Sequence, residues 1–106
     1  MELEEIRTKI KRGEYDLSEH AHVERQAEHI TVKEIEELIL SGEIVEAYPK
    51  DPRGESVLLG ARLKTRSLHV VCGKRNDRIL IVTVYEPNLP KWFDYKTRGR
   101  EVKDRV

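Results

Sequence analysis

The sequence predicts an α+β domain, with N-terminal helices packed on one face of a four-stranded, mainly antiparallel sheet. Apolar residues recur at helical spacing through the first 41 residues. From residue 44 onward, short apolar or alternating segments are separated by turn residues, which is typical of strands joined by hairpins. The length of 106 residues suits one domain over residues 1–106. We expect it to end in a basic, flexible tail from about residue 96.

The first two predicted helices differ in apolar content. Regular apolar spacing predicts a helix over residues 2–12. A second helix is expected within residues 16–29, beginning at Asp16 or Ser18, because both residue types are good N-caps. Its apolar residues are few, so it should lie on the surface of the core or cover a site.

The third helix carries the clearest local signal. Thr31 and Glu34 have the spacing of a capping box, which predicts a helix over residues 32–41 that ends at Gly42. Its apolar face consists of Val32, Ile35, Leu38 and Ile39.

Four strands are predicted after this helix. They cover residues 44–48, 56–63, 68–72 and 79–85. Their short connections favour an antiparallel meander. We expect Ile35, Leu38 and Ile39 to pack on the wholly apolar face of the sheet, since burying each Leu or Ile is worth about 1.5–3 kcal/mol. Alternation assigns to that face Val57, Leu59, Val70, Leu80, Val82 and Val84.

The loop between the first two strands has its own prediction. Residues 51–54 should form a tight exposed turn, with Gly54 in a conformation that other residues resist. Arg53 would then point toward the sheet face that carries His69. The alternative is that Asp51 and Arg53 pair locally and brace the turn.

Charge is segregated along the chain although its net value is zero. Lys+Arg and Asp+Glu both number 20, which argues against a polycationic nucleic-acid binder. Residues 1–49 hold 6 basic and 13 acidic residues, a charge of 6 − 13 = −7, and residues 50–106 hold 14 and 7, a charge of +7. Either the two halves attract each other, within one chain or between two copies, or the basic half binds RNA or an acidic partner.

Composition restricts the setting of the protein. A single cysteine, Cys72, excludes an internal disulfide and a multi-cysteine zinc site, and it is expected to be a small buried side chain. No apolar run approaches the roughly 20 residues of a membrane span, and residues 1–13 do not resemble a signal peptide. We therefore expect a cytoplasmic protein without membrane contact. Many Glu, Lys and Arg with one Gln and two Asn make the composition thermophile-like.

One face of the predicted sheet mixes polar with aliphatic residues. If the strand register aligns them, Arg62, His69 and Tyr85 share this face. A His or Tyr for proton transfer and an Arg for phosphate suit phosphodiester chemistry. The alternative is a half-exposed sheet face with ordinary polar residues.

The four histidines do not form a metal motif. They are His20, His22, His29 and His69. The spacing of the first three on helices completes no ligand set, and Gly-rich phosphate loops and H-E-x-x-H motifs are missing, so we expect no metal and no cofactor. His20 follows an N-cap position, where a surface or capping histidine is common.

Several segments together resemble the domain of unknown function family 4258. The similar segments are residues 17–21, 30–35, 42–54, 68–72 and 82–87, followed by Trp92. The resemblance extends over roughly residues 3–95. Residues at the family's motif positions are His20, Tyr48, Asp51, Arg53, Gly54, His69, Tyr85 and Trp92.

The family resemblance implies a specific function, which the residues by themselves do not indicate. Members are small prokaryotic proteins, often encoded beside a small protein with a zinc-finger or helix-turn-helix region. That arrangement implies a RelE-like toxin, a cytoplasmic ribonuclease held by an antitoxin-like partner, with helices against a small antiparallel sheet.

The candidate catalytic residues are His20, Arg53, His69 and Tyr85, which we expect to converge on one concave surface at the edge of the sheet. They supply the base, acid and cation that metal-independent RNA cleavage needs. A structural hydrogen-bond cluster would use the same residues. Two other hypotheses stay open: a non-catalytic module that binds an acidic protein or RNA, and a homodimer whose acidic and basic halves pair.

Overall fold

Three helices and a five-stranded sheet make up the described part of the chain. A computed structural model describes residues 1–64, 66–88, 92 and 94–97. The helices are α1 (Leu3–Lys11), α2 (Glu19–Ala27) and α3 (Val32–Ser41). The strands are β1 (Tyr15–Leu17), β2 (Glu43–Tyr48), β3 (Ser56–Arg62), β4 (Ser67–Arg75) and β5 (Arg78–Tyr85). The predicted α+β class is confirmed. None of these helices is long and apolar enough to cross a membrane.

The sheet differs from the predicted four strands by the addition of β1. Its strand order is β1-β5-β4-β3-β2, antiparallel from β5 to β2 and parallel between β1 and β5. Of the two predicted N-caps of α2, Ser18 is confirmed, since its hydroxyl oxygen accepts the Ala21 N–H at 3.0 Å, whereas Asp16 lies in β1, a strand that was not predicted. A strand of three residues is too short to show alternation, so its pairing with β5 leaves no periodic signal.

The third helix begins and ends where predicted. The Thr31 hydroxyl accepts the Glu34 N–H at 3.0 Å, and the Glu34 carboxylate accepts the Thr31 N–H at 2.9 Å. Both halves of the capping box are therefore present and fix the first turn of α3.

The main core lies between the helices and one face of the sheet, which we call the inner face. Ile35, Leu38 and Ile39 are fully buried there, as predicted. Other members of this core are Ile6, Ile10, Ala21, Ile30, Val57, Leu59, Ala61, Leu68, Val70, Cys72, Ile79, Ile81 and Val84. The predicted packing is confirmed for β3 and β4 but is wrong for two residues of β5.

A bulge in β5 causes this error. The register with β4 shifts between Val71 and Cys72, where β5 contains Val82 as an additional residue. One extra residue reverses the alternation of everything before it. Ile81 is therefore buried in the core, whereas Leu80 and Val82, which were predicted to face the helices, are only partly buried.

Acidic and basic halves of the chain meet within the fold. Among the described residues, three ion pairs join a carboxylate of the first half to a cation of the second: Lys74 with Glu5 at 2.8 Å, Arg78 with Asp16 at 2.9 Å, and Arg66 with Glu34 at 3.2 Å. The interpretation that the halves attract each other inside one chain is thus supported by contacts. Binding of RNA or pairing of two copies stays a prediction.

The opposite face of the sheet, the outer face, is crossed by the end of the described chain. Trp92 and residues 94–97, the crossing segment, run from the end of β5 toward β2. Trp92 is buried, and the Tyr95 hydroxyl donates to the Glu43 carboxylate at 2.7 Å. Trp92 thus docks on the outer face; residue 93 and most of the predicted tail, residues 98–106, lie outside the described residues.

Candidate functional site

His69 and Tyr85 are direct partners on adjacent strands. The register pairs His69 of β4 with Tyr85 of β5 and with Gly60 of β3, so the three form one row across the outer face. The His69 Nδ1 lies 3.1 Å from the Tyr85 hydroxyl oxygen, and the rings meet edge to face with centroids 5.3 Å apart. The expectation that these two side chains share one face is confirmed.

His69 is enclosed on every side. Its relative exposure is 0%, and the Trp92 ring packs edge-on with a centroid distance of 4.6 Å. Nε2 contacts the backbone carbonyl oxygen of Tyr95. A carbonyl oxygen only accepts hydrogen bonds, so Nε2 carries a proton; when the ring is neutral, Nδ1 accepts the bond from the Tyr85 hydroxyl.

Gly60 leaves the space in which this arrangement fits. A Cβ atom there would lie 3.0 Å from the Tyr95 carbonyl oxygen and 3.1 Å from the His69 Cδ2. The backbone of the crossing segment can therefore approach β3 closely only because residue 60 has no side chain. A glycine inside an otherwise apolar strand is the sequence signal for such an approach.

His20 lies at the edge of the sheet rather than on it. Its side chain, in the first turn of α2, is 70% exposed, and its Nε2 lies 3.5 Å from the Glu24 Oε1. The same oxygen accepts the Val84 N–H at 3.1 Å and the Thr83 hydroxyl. Thr83 is two residues before Tyr85, so Glu24 connects His20 to the outer face beside Tyr85.

Glu24 is a site residue that sequence reasoning missed. Glu24 and Glu28 together cover the edge of β5 beyond β1. Glu24 accepts the Val84 N–H, and Glu28 accepts the Glu86 N–H at 3.0 Å. Four residues of helix rise about 6 Å and two residues of strand about 6.6 Å, so glutamates at i and i+4 match alternate amides of a strand. That spacing was the available signal.

Arg62 lies on the outer face next to this row. It is two residues from Gly60 on β3 and pairs with Ser67 on β4, so its side chain is on the same face as His69. The side chain is exposed, and within the described chain no ion pair involves it. β3 and β5 are about 10 Å apart across β4, so Arg62 and Tyr85 can contact one bound nucleotide.

Arg53 lies at the other end of the outer face. Its turn precedes Ser56, which pairs with Gly73, about 13 Å along the strands from the row of His69. The side chain is 85% exposed, and its backbone N–H and Nε face the Asp51 Oδ1 at 2.9 and 3.4 Å. The expected convergence of four residues is thus not observed for Arg53, because local pairing with Asp51 holds it at the turn.

The turn itself has the predicted form. Gly54 has φ +117°, a backbone conformation that favours glycine, and its N–H donates to the Asp51 carbonyl at 2.8 Å. Arg53 borders a pocket of about 220 Å³ whose floor includes Val71, Leu80 and Val82. This pocket is separate from the row of His69 and Tyr85.

Cys72 is buried in the core, as predicted. Burial raises the pKa of its thiol to about 12. The thiolate is therefore scarce at neutral pH, and a nucleophilic role is not supported.

The sequence comparison identifies the family. A family model described as "Domain of unknown function (DUF4258)" matches residues 17–86, and the chain belongs to this family. The matched region contains His20, Arg53, His69 and Tyr85 and excludes α1 and the crossing segment. No curated protein and no solved structure matches the chain.

Proposed function

We propose that the protein is the toxin of a toxin–antitoxin pair, with a RelE-like fold, and that it acts as a metal-independent ribonuclease. The observation that carries the proposal is the 3.1 Å contact between the Tyr85 hydroxyl and the His69 Nδ1, on the face that also presents Arg62 and adjoins His20. These groups are a proton acceptor, a proton donor and a cation, which is the set that RNA cleavage without metal requires.

Tyr85 and His69 together act as the base. The Tyr85 oxygen takes the proton of the ribose 2′-hydroxyl while the tyrosine's own proton passes to the His69 Nδ1. His69 then carries a proton on both ring nitrogens, and the Nε2–H bond to the Tyr95 carbonyl stabilises that charge. A buried imidazole suits this role because it never has to touch the RNA.

His20 acts as the acid and Arg62 holds the phosphate. The 2′-oxygen forms a bond to phosphorus as the bond from phosphorus to the 5′-oxygen breaks, and His20 gives a proton to that departing oxygen. The products are a 2′,3′-cyclic phosphate and a 5′-hydroxyl end. Arg62 binds the phosphate oxygens through its exposed guanidinium.

Two features of the chain fit this activity. The second half carries a charge of 14 − 7 = +7, which attracts an RNA backbone. An antitoxin-like protein that covered the outer face would block Tyr85 and Arg62 together and so suppress cleavage.

Substitution of two arginines, Arg62 at the proposed site and Arg53 at the distant turn, tests these roles. A labelled RNA is incubated with the protein in EDTA, and cleavage by Arg62→Gln is compared with cleavage by Arg53→Gln. We expect Arg62→Gln and His20→Gln to lower the rate by roughly 10²-fold or more and Arg53→Gln to change it little. Equal effects of the two arginine substitutions would contradict the assignment of the phosphate site.

A non-catalytic module that binds RNA or an acidic protein is the second candidate. It is favoured by the complete burial of His69, whose two ring nitrogens both contact protein atoms. On this hypothesis the protein binds RNA in an anisotropy assay without cutting it. If expression of the protein arrests the growth of the host cells, His20→Gln would then leave that arrest unchanged. Loss of the arrest in His20→Gln would support the ribonuclease.

A further inference from the structure

We infer that Glu24 is a positioning residue for His20, a role that rests on the proposed ribonuclease function. One carboxylate oxygen, Oε1, lies 3.5 Å from the His20 Nε2 and 3.1 Å from the Val84 backbone nitrogen and also accepts the Thr83 hydroxyl. The carboxylate therefore ties the imidazole to the strand that carries Tyr85.

The two partners differ in how firmly they are held. The Glu24 side chain is 23% exposed and bonded to two groups of β5, whereas the His20 side chain is 70% exposed. The carboxylate is therefore the member held by more bonds, and it sets the direction of the exposed ring. With Nε2 turned toward Glu24, Nδ1 faces away from the carboxylate and is the nitrogen available to an RNA oxygen.

A purely structural role for Glu24 is the competing explanation. Glu24 accepts the Val84 N–H of β5 at 3.1 Å, Glu28 accepts the N–H of Glu86 directly after β5 at 3.0 Å, and both hold α2 against the strand edge. Only Glu24 also has an ion-pair contact with a histidine among the described residues. Glu28, the C-cap residue of α2, is therefore a control that also accepts a backbone N–H, from the residue directly after β5.

The test compares Glu24→Gln with Glu28→Gln in the full-length protein. Steady-state cleavage of a labelled RNA gives kcat and KM, and urea unfolding gives the transition midpoint. We expect the midpoint to fall in both variants, and further in Glu24→Gln, because Glu24 also accepts the Thr83 hydroxyl. Only Glu24→Gln should lower kcat, by roughly 10- to 100-fold with KM unchanged, because a misdirected ring still permits binding. Equal kcat values in the two variants would overturn the inference.

A second measurement does not depend on cleavage. The ring signals of His20 in an NMR spectrum are assigned by their loss in His20→Gln. They should shift in Glu24→Gln and stay in place in Glu28→Gln. His20 ring signals that keep their chemical shifts in Glu24→Gln would overturn the inference. Signals that respond, in a protein that cleaves no RNA, would support the pairing and overturn the proposed function.

Discussion

His69 of β4 and Tyr85 of β5 lie side by side on the outer face of the sheet, with His69 fully buried and Tyr85 partly buried. The His69 Nδ1 lies 3.1 Å from the Tyr85 hydroxyl, and Nε2 contacts the Tyr95 carbonyl. The pair therefore joins a fully buried imidazole to the hydroxyl of a partly buried tyrosine.

Replacing His69 should destabilise the protein strongly. His69→Ala removes a buried ring and with it the contacts of its nitrogens to the Tyr85 hydroxyl and the Tyr95 carbonyl. We therefore expect the free energy of unfolding to fall by about 2–4 kcal/mol. His20→Ala, at an exposed position, should change it by less than about 0.5 kcal/mol. Urea unfolding of both variants measures the difference, and equal values would contradict the anchoring role.

Local signals predicted most of this fold, and pairing over long distances accounts for what they missed. The capping box of Thr31 fixed the start of α3, and turn residues marked the four long strands. The bulge at Val82 depends on how β5 meets β4, and no single segment reveals it. The site followed the same division: the shared face of His69 and Tyr85 came from alternation, while Glu24 required knowing that α2 lies along β5.

The bulge predicts opposite sensitivities for two neighbouring residues of β5. Ile81 is fully buried, so Ile81→Ala should cost about 2–5 kcal/mol of unfolding free energy. Val82 is partly exposed on the outer face, so Val82→Ala should cost less than about 1 kcal/mol. Thermal or urea unfolding distinguishes them. A larger loss of unfolding free energy for Val82→Ala than for Ile81→Ala would contradict the bulge and favour simple alternation along β5.

Gly60 and Gly73 offer a matched pair on the outer face. A Cβ on Gly60 would meet backbone and side-chain atoms at 3.0–3.1 Å, whereas the closest atom to one on Gly73 is at 3.6 Å. Gly60→Ala should therefore push the crossing segment away and expose Trp92, the one tryptophan of the chain. We expect a red-shifted emission for Gly60→Ala and an unchanged spectrum for Gly73→Ala. Identical spectra would contradict the close approach.

Stability should fall in acid partly through Glu34. The Thr31 backbone N–H, and with it Arg66, lowers the pKa of the Glu34 carboxyl in the folded protein. A folded-state pKa below the unfolded value of about 4.3 gives stability that is present above that pH and lost as pH falls through the folded value.

Urea unfolding between about pH 6 and pH 3 measures this dependence. Glu34→Gln should weaken the dependence, and Arg66→Gln should weaken it less, because the Thr31 N–H is the larger cause. A Glu34→Gln variant that is as acid-sensitive as the original chain would show that other carboxylates account for the loss.

Tyr85→Phe tests the proposed ribonuclease most directly, because it removes one oxygen atom and keeps the ring. Tyr15→Phe, which removes from strand β1 a hydroxyl bonded to Glu36 of α3, is the control. In EDTA, the original chain and Tyr15→Phe should cut a labelled RNA to 2′,3′-cyclic phosphate ends. Tyr85→Phe should be slower by roughly 10²- to 10⁴-fold. Cleavage by Tyr85→Phe at the original rate, or none by the original chain, would contradict the proposal.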